Sequence, residues 1–166
     1  MKRHLKTIVW LMLLVLSGTA FSDGFPVADE VIIDKSDREL YLLRDGEIFR
    51  TFTIALGIIP DGDKQKEGDF KTPEGRYLLD ARNPNSDYFL SIRVSYPDAQ
   101  DRREASQLGV SPGGAIMIHG QPNEPTRSET YYKSQDWTNG CIAVSNSDMI
   151  DIWLMTDANT PIEIRP

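Results

Sequence analysis

Apolar and polar positions alternate with a short period along most of this chain, the signature of half-buried strands. Val31 to Asp34 is a short apolar run, and Leu40 to Leu43 and Ile48 to Leu56 flank Asp45-Gly46. Asp-Gly between two apolar runs is a strong two-residue hairpin signal, so the chain is expected to open as an antiparallel meander. Asp61 to Lys71 carries Gly62, Gly68 and many charges and reads as an exposed loop. Strand character resumes at Arg76 to Asp80, after Pro73 and Gly75, and again at Tyr88 to Val94. Ser95 to Gly114 is polar and glycine-containing, a long loop with a short helical or turn segment around Asp101 to Leu108. Ala115 to Ile118 is a short apolar strand with His119 at its end, and Pro161 to Ile164 reads as a final strand.

One segment has the helical period. Ser145 with Asp148 three residues later resembles a helix-starting box, and Met149, Ile150, Trp153 and Leu154 share a helical face that reads as core packing. The expectation is a mostly β domain with minor helix, with no repeat, low-complexity tract or linker to divide it.

The N-terminus follows a different logic. Met1 to Lys6 is basic, Thr7 to Leu16 is apolar, and Ala20 and Ser22 are placed as a cleavage signal, so residues 1–22 read as a signal peptide. The apolar run is about half of the roughly 20 residues that a spanning helix needs, which argues against stable membrane insertion. No cysteine stands at the cleavage point to take a lipid. A short segment, 23–29, then leads into a domain at 30–166, and the expected location is the periplasm or cell envelope. Taking Lys2, Arg3 and Lys6 from the 18 basic residues leaves 15 against 25 acidic ones, a net of −10 for the exported chain. That balance disfavours nucleic acid and anionic lipid as partners.

Export also changes the meaning of the cysteine. The chain has 1 cysteine and 2 histidines, one of which, His4, lies in the signal. A lone cysteine in an oxidising compartment is buried and inert, paired to another molecule, or reactive. Cys141 sits in Thr138-Asn139-Gly140-Cys141, where Gly140 permits close backbone approach and Thr138 and Asn139 are polar turn formers, a setting that favours reactivity. One Cys and one His fall short of the three or four ligands that zinc takes, so neither a metal nor another cofactor is expected.

Gly57, the stretch Gly68-Asp-Phe-Lys-Thr-Pro-Glu-Gly-Arg-Tyr77, the strand ending Ile118-His119-Gly120, and Thr138-Asn-Gly-Cys141 together resemble the L,D-transpeptidase (YkuD-type) catalytic domain of bacterial cell-wall enzymes. The similarity runs from about Glu30 to Pro166, with Gln121 to Trp137 separating the His-Gly pair from the cysteine turn. The resemblance implies a β-sandwich-like domain and a thiol acyl transfer on peptidoglycan stem peptides. Cys141 matches the nucleophile, which attacks the carbonyl of the third stem residue, expels terminal D-alanine and forms a thioester that an amine then resolves. His119 matches the base, oriented in that family by a backbone carbonyl. Backbone N–H groups around Asn139, Gly140 and Cys141 match the oxyanion hole. The acceptor is a second stem or an amine-bearing wall-linked protein.

An imidazolium lowers the pKa of an adjacent thiol, so a Cys141–His119 ion pair is the expected resting form. Lys71, Thr72, Pro73 and Gly75 read as a rigid turn. Gly120, Trp137, Thr138, Tyr131 and Tyr132 are candidates to line a substrate groove. Ala143 stands where many members have an arginine, which removes a carboxylate-binding cation; Arg127 or, less favourably, Lys133 is expected to replace it. Two alternatives stay open. A hydrolytic sibling, an L,D-carboxypeptidase or a peptidoglycan-trimming amidase or peptidase, would resolve the thioester with water, and a non-catalytic wall-binding module would use neither residue chemically.

Overall fold

The computed structural model describes residues 24–166, so the signal peptide read at 1–22 lies outside the described residues. Eight strands form one mixed sheet: β1 (Glu30–Asp34), β2 (Glu39–Arg44), β3 (Glu47–Thr53), β4 (Gly75–Ser86), β5 (Phe89–Val94), β6 (Met117–His119), β7 (Ile142–Ala143) and β8 (Thr160–Arg165). Their order across the sheet is β3-β2-β1-β8-β4-β5-β6-β7. The opening meander forms as its pattern predicts, and Asp45 (φ 54°) and Gly46 (φ 79°) both take the left-handed conformation that a tight two-residue hairpin requires.

The last strand inserts between the first and the fourth. β8 runs parallel to β1 and antiparallel to β4, so the two ends of the domain lock together at the sheet's centre. Beyond β3 the chain reaches the opposite edge, where Ala55 and Ala143 exchange backbone hydrogen bonds of 2.8 Å in each direction. The sheet is therefore curled until its outer strands meet, and Val31, Ile33, Leu40, Leu42, Leu79 and Ile118 fill the space inside. This curled, two-faced arrangement is the mostly β, sandwich-like fold expected from the sequence.

Among the described residues three helices accompany the sheet: α1 (Ala99–Gln107), α2 (Glu129–Ser134) and α3 (Asn146–Met155). Asp98 caps α1, accepting from the amides of Gln100 and Asp101, while Asp101 returns the bond to the Asp98 amide. Ser145 caps α3 by accepting from the Asp148 amide. The face assigned to α3 needs correction. Met149, Ile152 and Met155 are its buried residues, with Trp153 half-buried, whereas Ile150 and Leu154 are 43% and 45% exposed. Docking on β5 selects the i, i+3, i+6 stripe, one step round the helix from the stripe read in the sequence.

β4 also runs six residues further than its apolar pattern, through Asn83, Pro84 and Asn85 to a tip at Asp87-Tyr88. These positions are exposed and carry no alternation, so only pairing with β5 reveals them as strand. The charged loop before β4 is less solvated than its composition suggests. Lys64 is 6% exposed and paired at 2.7 Å with Asp69, and Lys35 is 3% exposed and paired at 2.7 Å with Glu74.

Candidate active site

β6 delivers His119 and the turn before β7 delivers Cys141. The parallel register Ile118 with Ile142 and His119 with Ala143 sets Cys141 level with Met117, two residues before His119 on the neighbouring strand, and both line a cavity of about 360 Å³. Ala143 is thereby accounted for: it is 1% exposed and bonded to Ala55 at the seam of the curled sheet, which leaves no room for a long cationic side chain.

His119 is 4% exposed, and its Nδ1 lies 2.7 Å from the Gly120 carbonyl oxygen. A carbonyl only accepts, so Nδ1 carries the proton and Nε2 keeps its lone pair. Burial drives the imidazole pKa down to about 4, with the Gly120 contact opposing. The Cys141 thiol donates to the Ala115 carbonyl at 3.5 Å. Burial pushes that thiol's pKa up, while the Met117 backbone N–H and the Lys64 ammonium pull it down. Burial thus favours a neutral thiol and a neutral imidazole over the ion pair expected from the sequence. His119 has lost most of the water that would stabilise its charged form and the half-buried Cys141 has lost part of it, a loss that the sequence reading omitted.

The backbone of the cysteine turn is held by a threonine hydroxyl and by close packing on the main chain beneath it. Thr138 donates its hydroxyl to the Cys141 carbonyl at 2.7 Å and accepts from the Gly140 amide at 3.1 Å. Gly140 has φ +122°, and a Cβ there would sit 2.5 Å from the Lys71 carbonyl oxygen. On the other side, Gly57 donates to the Thr72 hydroxyl at 3.3 Å. The Lys71-Thr72 segment is therefore a buttress under the turn, a role beyond the strand delivery read from the sequence. The Gly140 amide, grouped with the oxyanion donors in the sequence reading, is already engaged by Thr138.

The other expected groove residues separate. Thr138, Asn139 and Trp137 line the cysteine cavity. Gly120 does not line it: a Cβ at Gly120 would meet Asn146 Oδ1 at 2.6 Å, so this glycine permits close packing. Arg127, Tyr131 and Tyr132 line a neighbouring cavity of about 670 Å³, which shares Asp87, Tyr88 and Trp137 with the first. The Arg127 guanidinium lies 5.7 Å from the centre of the Tyr131 ring. Tyr132 is buried, its hydroxyl accepting from the Thr126 amide at 3.1 Å and its ring set edge-on to Trp137. Lys133 is bonded to Glu129 at 2.6 Å and lines neither of these two cavities.

Two contributors were missed. Asp136 accepts from the Leu56 amide at 2.8 Å and from Arg38 at 2.9 and 3.1 Å, tying the end of the 121–137 segment to the chain just beyond β3 and to the turn before β2. Tyr88 lies over His119 with ring centres 4.6 Å apart. Neither belongs to a local motif. Asp136 reads in the sequence as solvated or bonded to its own loop, and Tyr88 arrives through the β4–β5 pairing.

Among the described residues no group of three or more His, Cys, Asp or Glu is placed to hold a metal ion, and no helix is long and apolar enough to cross a membrane.

Comparison with known proteins agrees with this architecture. Over 102 residues the chain is 39% identical to YafK of Escherichia coli K12, provisionally named an L,D-transpeptidase, covering 58% of this chain and 39% of that one. The helical cell shape determining protein Pgp2 of Campylobacter jejuni superposes with a TM-score of 0.60 at 30% identity, over 82% of this chain and 46% of that one. An L,D-transpeptidase of Mycobacterium smegmatis shares the fold, with a TM-score of 0.55 at 15% identity, over 82% of this chain and 58% of that one. The chain thus spans less than half the length of YafK or Pgp2. The YkuD profile, described as the L,D-transpeptidase catalytic domain, matches residues 28–164, nearly all that the structure describes. The chain belongs to the YkuD family of L,D-transpeptidase catalytic domains.

Proposed function

We propose that this domain is an exported cysteine acyltransferase acting on peptidoglycan stem peptides. The observation that carries the reading is the shared cavity of Cys141 and His119, with the Nδ1 proton held by Gly120 and Nε2 left basic. A neutral pair needs no prior charge separation. As Sγ bonds to the carbonyl carbon of the third stem residue, the thiol proton passes to His119 Nε2. The oxyanion is met by the backbone N–H groups of Asn139 and Cys141, since the Gly140 N–H is engaged by Thr138. His119 then returns its proton to the departing D-alanine nitrogen, the C–N bond breaks, and a thioester remains. An incoming amine gives its proton to His119, bonds to the carbonyl, and the C–S bond breaks with return of that proton to sulfur.

The acceptor is an amine of a second stem or of a wall-linked protein. Similarity to a cell shape determining protein supports a role in shaping the wall.

Incubation with a stem tetrapeptide followed by intact-mass measurement is the test. The expected adduct is the acyl tripeptide on the peptide containing Asn139 to Cys141, with free D-alanine released. A joined pair of stems identifies an amine acceptor and a shortened stem identifies water. No adduct and no D-alanine, with a thiol that alkylates normally, would overturn the assignment.

A further inference from the structure

The acyl-transfer steps use His119 and Cys141 but leave unexplained the aromatic ring that covers the base. Tyr88 occupies the tip of the β4–β5 hairpin, its ring centre 4.6 Å from that of His119 and inclined 44° to it. Trp137 approaches the same imidazole edge-on, 5.6 Å away at 69°, and lies 6.0 Å from Tyr88. The three rings form one cluster, with the imidazole 4% exposed although Tyr88 itself is 40% exposed. Tyr88 therefore stands between the base and solvent.

Its placement is built into the hairpin. The Tyr88 amide donates to Ser86 Oγ at 3.1 Å, and Phe89 follows with φ +66°, a left-handed conformation that turns the chain sharply. Asn123 clamps the tip from the segment after His119. It donates through its side chain to the Ser86 carbonyl at 2.9 Å and through its amide to the Asp87 carbonyl at 2.9 Å, and it accepts from the Phe89 amide at 3.0 Å. A solvent-facing tyrosine on a loosely held loop would not need three bonds from one residue to fix its backbone.

We propose that Tyr88 is a positioning residue for the base: its ring holds the plane of the His119 imidazole against Trp137, excludes water from it, and forms part of the wall shared by the two adjoining cavities. The proposal rests on the reading of His119 as the base. Water exclusion favours the neutral imidazole, and the aromatic face favours an imidazolium; the imidazole's downward displacement to about 4 fits dominance of the first effect. The other titratable groups around this cavity are Asp87 on the hairpin tip and Cys141 on the turn, while β5 presents Ser91 and β7 presents Ala143 opposite His119.

The test compares Tyr88→Phe with Tyr88→Ala in the full chain. His119 is titrated by NMR, its signal identified by its loss in His119→Gln, and kcat and KM on a stem tetrapeptide are measured across pH. In Tyr88→Ala the midpoint should rise by about one pH unit or more toward the ordinary histidine value near 6.5. The acid limb of the kcat profile should move with it, and kcat should fall about 10-fold or more, on the scale of a misplaced base. Tyr88→Phe should retain both properties, because the ring and not the hydroxyl does the covering. An unmoved midpoint with only KM raised would make Tyr88 a substrate wall and overturn the proposal. So would a shift that disappears in Tyr88→Ala/Asp87→Asn, since the carboxylate would then be its cause. The titration needs no substrate, so it is readable even where the acyl-transfer reading fails.

Discussion

Two walls of the active-site region are built on different principles. The nucleophile's wall is closely packed main chain pinned by two buried threonine hydroxyls: Gly140 sits on the Lys71 carbonyl, Gly57 donates to the Thr72 hydroxyl, and the Thr138 hydroxyl closes its own turn. Here chain conformation leaves no space for a side chain. The second wall, residues 121–137, which gives the cysteine cavity only Trp137 and otherwise lines the adjoining cavity, is held by side chains. Its helix has only six residues, Tyr132 packs on Trp137, and Asp136 ties its end to the chain just beyond β3. A nucleophile that must be placed within fractions of an ångström gains from the first construction, and a surface that must admit different substrates gains from the second.

If the contrast is right, substitutions in the first wall should be severe and those in the second graded. The largest effect belongs to Cys141→Ala, which should abolish D-alanine release while leaving the thermal midpoint within about 3 °C of the parent, because a half-buried thiol contributes little to packing. Turnover and unfolding should be measured on the same sample. Retained turnover would remove the thiol from the mechanism, and an unfolded product would make Cys141 a structural residue.

Gly140→Ala should come next. The added Cβ would lie 2.5 Å from the Lys71 carbonyl oxygen at a φ of +122°, so the turn, the buttress or both must move. A cost of about 2–4 kcal/mol in chemical denaturation is expected, with loss of most activity. A fully stable, active Gly140→Ala would mean that the turn is as forgiving as the second wall.

His119→Gln tests the buried base in two ways. Its rate should fall about 100-fold or more, the usual scale for removal of a general base. Stability should change with pH as well. An unfolded histidine titrates near 6.5 whereas this one is held at about 4, so between those values the unfolded chain binds a proton that the native chain refuses. The parent should therefore keep its full stability above about pH 6.5 and lose about 3 kcal/mol as pH falls toward 4, a loss that the glutamine variant should lack. Parallel denaturation curves for the two proteins across that window would show that His119 is solvated.

The difference between the walls also marks how far the sequence could be read. The nucleophile's side was legible because its constraints are local: a Gly-Cys turn, a His-Gly strand end and a Thr-Pro element each leave a mark within a few residues. The meander was legible for the same reason, since Asp45-Gly46 fixes its own hairpin. What escaped depends on partners distant in sequence. Nothing around Pro161 to Ile164 says that the last strand enters the middle of the sheet, and nothing in Asn83-Pro84-Asn85 signals a strand that carries Tyr88 to His119. On α3 Met149 and Trp153 pack inward as read, but Ile150 and Leu154 face out while Ile152 and Met155, no more apolar, are buried, and only docking on β5 distinguishes them. The neutral state of the Cys141–His119 pair likewise follows from burial, which short motifs do not encode.

The smallest effects should fall in the second wall, where the cation replacing the arginine absent at position 143 is sought. Lys133 is already paired with Glu129 at 2.6 Å, an exposed i, i+4 contact, and lies outside both cavities near the cysteine. Arg127 lines the larger cavity next to the shared wall of Asp87, Tyr88 and Trp137, stacked on Tyr131 and free to turn its fork toward a carboxylate entering from that side. Arg127→Gln should thus lower kcat/KM for a stem tetrapeptide about 10-fold, a charge-assisted hydrogen bond being worth about 1.5–3 kcal/mol when well formed and less at a rim. Lys133→Gln should change it less than about 2-fold. Both variants should alkylate at Cys141 as the parent does, because neither touches the thiol. If Lys133→Gln proves the more damaging, the 121–137 segment rearranges around its substrate, and the graded wall is then a moving one.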